Sequence, residues 1–197
     1  IGPGARPWTD FVDGRRPHAD RRRRYLEVVT GLLVDDLASL VAAWAPGAPY
    51  RDDFEKAGLE AVRRIIVGIG SLSRGVLAGE RLEVALSTMD QEDEHSCFSD
   101  NTHRDIVANA RGIRQVWQGD WPRLEGAPLR GPALRALVAA ADPALADRTR
   151  RRRDASVAAA EAIRPPFDRE IMGDADAPGR KRVQALVESL VQQSRDL

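Results

Sequence analysis

The sequence predicts an all-α fold, a bundle of amphipathic helices, and three observations carry that prediction. Apolar residues recur at spacings of three and four along most of the chain, which puts them on one face of a helix. Prolines and glycines fall between these runs, where connections are needed. No segment alternates convincingly as a strand, and no internal repeat is found.

The elements follow in order. Residues 1–18 hold Pro3, Pro7 and Pro17 with Gly2, Gly4 and Gly14, and read as an extended segment pinned by Trp8 and Phe11. Residues 19–197 read as the helical-bundle domain. Asp20 is the expected cap of a helix to about Trp44, whose stripe is Leu26, Val29, Leu33, Leu37, Leu40 and Trp44. Pro46 and Pro49 end it. A second helix is expected from Asp52 or Asp53, with Phe54, Ala61, Ile65, Ile69 and Leu72 toward a core. Gly68, Gly75 and Gly79, with Ser71, recur near helical spacing, although each helical glycine costs up to about 1 kcal/mol. They suit either tight helix packing or a pocket beside bare backbone. Glu80-Arg81 is expected to close this glycine-rich helix.

Beyond the central stretch, a helix is expected from Asn101 to Gly119, with Trp117, Trp121 and Leu124 as its apolar exit. Pro132 suits the first position of a helix over 133–141. Asp142-Pro143 opens another, to Ile163, which Pro165-Pro166 stops. A short turn at 167–172 precedes a last helix opened by Asp176 and Pro178, burying Val183, Leu186, Val187, Leu190 and Val191. Leu33, Leu37, Ile65, Ile69, Ile106, Ile113, Leu186 and Leu190 are expected in one core. The arginine runs 21–24 and 150–153 are expected to be solvated.

At 197 residues the chain suffices for one domain or two small helical ones. Hydrophobic residues at 43% and charged residues at 30% suit a globular fold rather than a disordered tail. The net charge is zero, so nothing draws the chain generally to nucleic acid or an anionic membrane surface. No apolar run approaches the roughly 18 residues that span a bilayer, so no transmembrane segment is expected. The single cysteine, Cys97, cannot form an internal disulfide.

The stretch from Asp90 to Asp105 concentrates the chemistry. It holds His95 and His103, Cys97, and the carboxylates Asp90, Glu92, Asp93, Glu94, Asp100 and Asp105. Its flanks read as helix, so it forms a corner, with Ser99 or Asp100 as the expected cap of the second helix. Glu92 and His95 stand at i, i+3, which on a helix shares one face and suits carboxylate–imidazole binding of iron, zinc or copper. A hydrogen-bonded polar corner explains the same residues, and a Cys97–His95 nucleophile is a third reading. The surrounding carboxylates oppose the third by raising the thiol pKa. Asn101, Thr102 and Asp105 suit either support of the corner or N-capping.

Glu-Asp-Glu-His-Ser-Cys-Phe-Ser-Asp-Asn-Thr-His-Arg-Asp-Ile at 92–106 resembles the signature of imelysin-like proteins, the iron-regulated protein A branch of peptidase family M75. The segments at 24–37 and 70–81 are similar to that family too, and the resemblance runs the length of the chain. It implies the C-terminal part of a two-bundle protein, a bacterial envelope setting (periplasm or outer membrane) and a partner in iron acquisition. The family name implies a metallopeptidase as the alternative, and a docking domain without its own ligand is a third reading. The family's Gly-x-His-x-x-Glu motif does not occur here. It would precede a Gly-Pro-Gly-x-x-Pro-Trp segment like the one that opens this chain, so the missing N-terminal part is the expected partner. From their spacing, and from Cys97 and His103 close by, Glu92 and His95 are the candidate metal ligands. Glu80, Arg81, Ser96, Cys97, Asn101, Thr102, His103 and Asp105 line or support the site.

Overall fold

A computed structural model describes residues 6–196 and is all-α, apart from one two-residue hairpin. The chain divides into two compact units, Ile1–Arg63 and Arg64–Leu197.

The first unit begins with a 3-10 turn, Trp8–Phe11, followed by α1, Ala19–Ala43. Asp10 ties the two together. Its carboxylate meets Arg6 at 3.0 Å and Arg16 at 3.5 Å, and its carbonyl accepts from Arg22 Nε at 2.9 Å. The expected Asp20 cap is corrected: α1 starts two residues earlier, after His18 in the left-handed region, and Asp20 lies in the first turn. There its charge still favours the positive end of the helix dipole. The second helix is likewise two. Pro49 is the first residue of α2, Pro49–Lys56, so Asp52 and Asp53 lie inside it. Gly58, at φ 55°, breaks the chain before α3, Leu59–Ser71. Trp44 packs edge-on against Tyr50 and Phe54.

Leu33 and Leu37 do not join a common core, being 58% and 52% exposed. Ala19 alone is buried on α1. The stripe is real, but α2 covers only its Trp44 end, and Leu26, Leu33, Leu37 and Leu40 stay about half exposed.

In the second unit the glycine-rich segment does not close at Arg81. Residues Leu72–Glu83 wind as a π-helix, with each N–H reaching back five residues, and run on into α4, Val84–Thr88. Met89, left-handed at φ 56°, ends it. After the corner come α5 (Thr102–Gln118), β1 (Asp120–Trp121), β2 (Leu129–Arg130), α6 (Leu134–Ala141), α7 (Pro143–Glu161), α8 (Phe167–Ile171) and α9 (Pro178–Ser194). The antiparallel β1–β2 pair has two exposed residues in each strand, so among the described residues no segment alternates as a strand, as expected. The chain turns back there because Gly119, at φ 69°, lets the Gly131 N–H reach its carbonyl at 2.7 Å. Trp121 and Leu124 stay exposed. Asp142 caps α7 as expected, its carboxylate accepting from Leu145 N–H at 2.9 Å.

The core gathers Leu77 and Leu82 from the π-helix, Ala85 and Leu86 from α4, and Ile106 and Ala110 from α5. Val157, Ala160, Phe167, Ile171, Val183, Leu186, Val187 and Leu190 complete it from α7, α8 and α9. Ile69 and Ile113 are buried; Ile65 is half-buried. Polar links lock the packing. The Ser73 hydroxyl donates to the Leu190 carbonyl at 2.8 Å and accepts from Gln193 Nε2 at 2.7 Å. Arg180 Nη1 donates to the carbonyls of Leu86 and Ile171 at 2.8 and 2.6 Å. The expectation for the second arginine run fails at one residue: Arg153 is 1% exposed, stacked on Trp117 with 4.1 Å from guanidinium carbon to ring centroid. It lies on the α5-facing side of α7, where the run's register turns it inward.

Candidate functional site

The corner between α4 and α5 is built by local rules. Asp90 caps a short 3-10 turn, Gln91–Asp93, by accepting from Glu92 N–H at 2.9 Å. Glu94 then turns the chain into extended geometry, and α5 starts at Thr102 with Asn101 as its N-cap. The expected caps Ser99 and Asp100 lie before it, and Asp100 is left-handed at φ 51°. Asn101 makes no side-chain cap bond.

Four of the sequence-predicted residues meet in one network. The Ser96 N–H donates to Thr102 Oγ1 at 3.1 Å, and the Ser96 hydroxyl donates to Asp105 Oδ2. Asn101 Nδ2 reaches the other Asp105 oxygen at 3.4 Å. Thr102 is 1% exposed, so the network is the hinge by which the loop is fastened to α5. Of the two readings open in the sequence, this network supports the corner and supplies no side-chain cap to α5.

The Glu92–His95 pair lacks its expected geometry. Glu92 is exposed on the 3-10 turn, and Glu94 breaks the helical path before His95, so the two share no helix face. His95 is half-buried with Nδ1 buried and unpartnered, and the same holds for His103. Cys97 is free and half-buried. Arg81 is half-buried with Nε unpartnered, whereas Glu80 on the π-helix is exposed. His103 also lines a groove of about 450 Å³ with Arg104, Val107, Arg111, Glu161 and Ile163. Arg111 closes one wall by its 2.7 Å pair with Glu161.

The residue that the pattern did not single out is Glu94. It is 4% exposed, and both carboxylate oxygens are buried without a hydrogen-bond partner. Burial pushes its carboxyl above the ordinary range, and the charges of Asp168 and Asp100 add to that. The Thr102 hydroxyl lies near enough to oppose the rise without reaching hydrogen-bond geometry. Asp168, on α8, also has one buried oxygen without a partner. No sequence signal separates Glu94 from its neighbouring carboxylates, and Asp168 reaches it only through the fold. Such a carboxylate can take a proton or a cation. Among the described residues, no group of three or more His, Cys, Asp or Glu is placed to hold a metal ion.

No helix among the described residues is long and apolar enough to cross a membrane. No curated protein matches the chain. The family model described as Peptidase_M75: Imelysin matches residues 2–197, nearly its whole length. The chain belongs to the imelysin family.

Proposed function

We propose that this chain is a metal-binding, iron-related module of an envelope protein, in the periplasm or at the outer membrane, and that its corner supplies part of a coordination set. The observation that carries the reading is Glu94: a carboxylate almost wholly removed from water with neither oxygen paired. An unmatched buried carboxylate is costly, and a cation removes that cost while displacing its proton. His95, the next residue, offers a buried unpartnered Nδ1. Carboxylate and imidazole together suit iron, zinc or copper. In this reading Glu94 takes the carboxylate role that the spacing gave to Glu92. A bound ion would supply charge neutralisation there, and the Ser96–Asp105–Thr102 network would hold the loop that carries both donors.

Two donors leave an ion incompletely held, so further ligands must come from another surface. We assign that surface to the remainder of a longer imelysin polypeptide. The exposed stripe of α1, with Leu26, Leu33, Leu37 and Leu40 each about half exposed, supports a further packing partner for the first unit.

Calorimetric titration of iron, zinc and copper into the protein and into its Glu94→Gln and His95→Ala forms tests the reading. Each substitution should weaken binding of the preferred metal at least about tenfold, the effect expected for loss of a ligand or its orientation. Their melting temperatures in chelator should stay within a few degrees of the parent. Equal affinities in all three proteins would remove the corner as a metal site.

A further inference from the structure

The second unit buries a guanidinium whose N–H groups find no acceptor among the described residues. Arg153 on α7 is 1% exposed, and its Nε, Nη1 and Nη2 are all buried without a hydrogen-bond acceptor. Beneath it lies Trp117 of α5, 2% exposed, whose indole Nε1 is also buried and unpartnered. One turn earlier on α7, Thr149 is fully buried with an unpartnered hydroxyl. A guanidinium and an indole N–H can only donate, and a threonine hydroxyl can donate as well. These groups therefore present unpaired donors from two helices, and the Thr149 hydroxyl is the one group among them that could also accept.

Asp196 is the carboxylate whose charge acts on Arg153. It is already committed, because its Oδ1 accepts from Arg148 Nε at 3.2 Å and from Arg152 Nη1 at 2.8 Å. Its Oδ2 is buried and makes no hydrogen bond to Arg153 or to any other group. Among the described residues, Asp196 is thus shared by two paired guanidinium groups and by the charge of a third, Arg153. Burial lowers the Arg153 pKa to about 10, which still leaves it charged at neutral pH. Stacking on Trp117 offsets part of the desolvation but satisfies none of the N–H groups.

The geometry points to an internal binding site for a small monovalent anion of the chloride class, held between α5 and α7 by Arg153, Trp117 Nε1 and the Thr149 hydroxyl. One such ion would accept from the unpaired Arg153 and Trp117 donors and meet the buried guanidinium charge. It also explains an inward-facing arginine in a run whose other members face or reach the solvent. The site is separate from the corner at Glu94 and does not depend on the metal-binding reading.

The test compares thermal unfolding in sodium chloride and in sodium gluconate at matched ionic strength. Gluconate is too bulky for the site. The melting temperature should rise with chloride, by roughly 3 °C per tenfold increase above the dissociation constant, and stay flat in gluconate. Arg153→Met, which keeps the volume and removes the charge, should lose the chloride response. If that variant does not fold, the native protein decides alone. Its chloride NMR line should broaden, and crystals grown in bromide should show an anomalous peak beside Arg153 and Trp117. A melting temperature equal in the two salts, or bromide peaks confined to surface sites, overturns the proposal.

Discussion

Gly179→Ala is a single added methyl whose cost can be worked from the packing of α8 on α9. Gly179 is buried in the first turn of α9. A Cβ built there would stand 2.7 Å from Glu170 Cα, 2.8 Å from its carbonyl oxygen and 3.1 Å from its carbonyl carbon. All three are backbone atoms, so no side chain can swing aside, and α8 must move. That movement loosens neighbours: the two-pronged Arg182–Glu170 pair and the Arg180 bond to Ile171 both span the same seam. Overpacking of this kind costs about 1–3 kcal/mol. Ala gains up to about 1 kcal/mol over Gly in a helix, so the net loss should be about 1–2 kcal/mol. Gly68→Ala is the matched control, since Gly68 lies inside α3 with nothing within 4 Å of its added Cβ. It should gain about 0.5–1 kcal/mol. Urea unfolding followed by circular dichroism measures both, and the two midpoints should move in opposite directions. If Gly179→Ala is as stable as Gly68→Ala, the close approach of α8 and α9 is not what the distances say.

Other expectations follow from the same structure. Leu190→Ala, fully buried against Ser73 and the π-helix, should cost about 2–5 kcal/mol in urea unfolding, whereas Leu37→Ala, half exposed, should cost under about 1 kcal/mol in this chain; equal losses would return Leu37 to the core. Replacing Arg150 and Arg151 with Gln should move the melting temperature little, because exposed pairs are worth about 0–1 kcal/mol; a drop like that of a core substitution would refute this. For Glu94 the sign is set by a carboxyl raised above its ordinary value of 4.5. The folded state holds that proton to higher pH than the unfolded chain, so its contribution is full below the ordinary value and is lost as pH rises through the folded value. The slope is at most about 1.4 kcal/mol per pH unit. In chelator-treated protein Glu94→Gln should flatten this fall, and an unchanged profile would clear Glu94 of it.

The helices were legible because periodicity and punctuation act locally. Asp142-Pro143 and Pro178 mark their helix starts within a residue or so, and the stripe of α9 buries as its spacing requires except at Val191, which is partly buried. Periodicity says that a face wants covering; it does not say what covers it, so Leu33 and Leu37 looked like core. The break at Gly58 was missed because the apolar spacing runs on across it, while the left-handed turn depends on one residue. At the corner, the Ser96–Asn101–Thr102–Asp105 cluster was visible as composition. The burial of Glu94 was not, because it depends on where the fold places Asp168 and α8. Arg153 fails for a related reason: three neighbours in its run reach the solvent, and only the angle of α7 against Trp117 sends the fourth inward.

The Ser73–Leu190–Gln193 link carries a consequence for how the chain is made. It joins positions 117 and 120 residues apart, and the apolar faces around it belong to the π-helix and α9. On the ribosome, Leu77 and Leu82 emerge long before the helix that covers them. Until α9 follows, the π-helix, α4 and α5 expose an unfinished apolar surface, and closing so long a loop is slow relative to local helix formation. The second unit therefore matures late, with a nascent intermediate that is prone to association and a natural client for chaperones. A stalled or truncated product lacking α9 would go to proteolysis rather than persist as a smaller bundle.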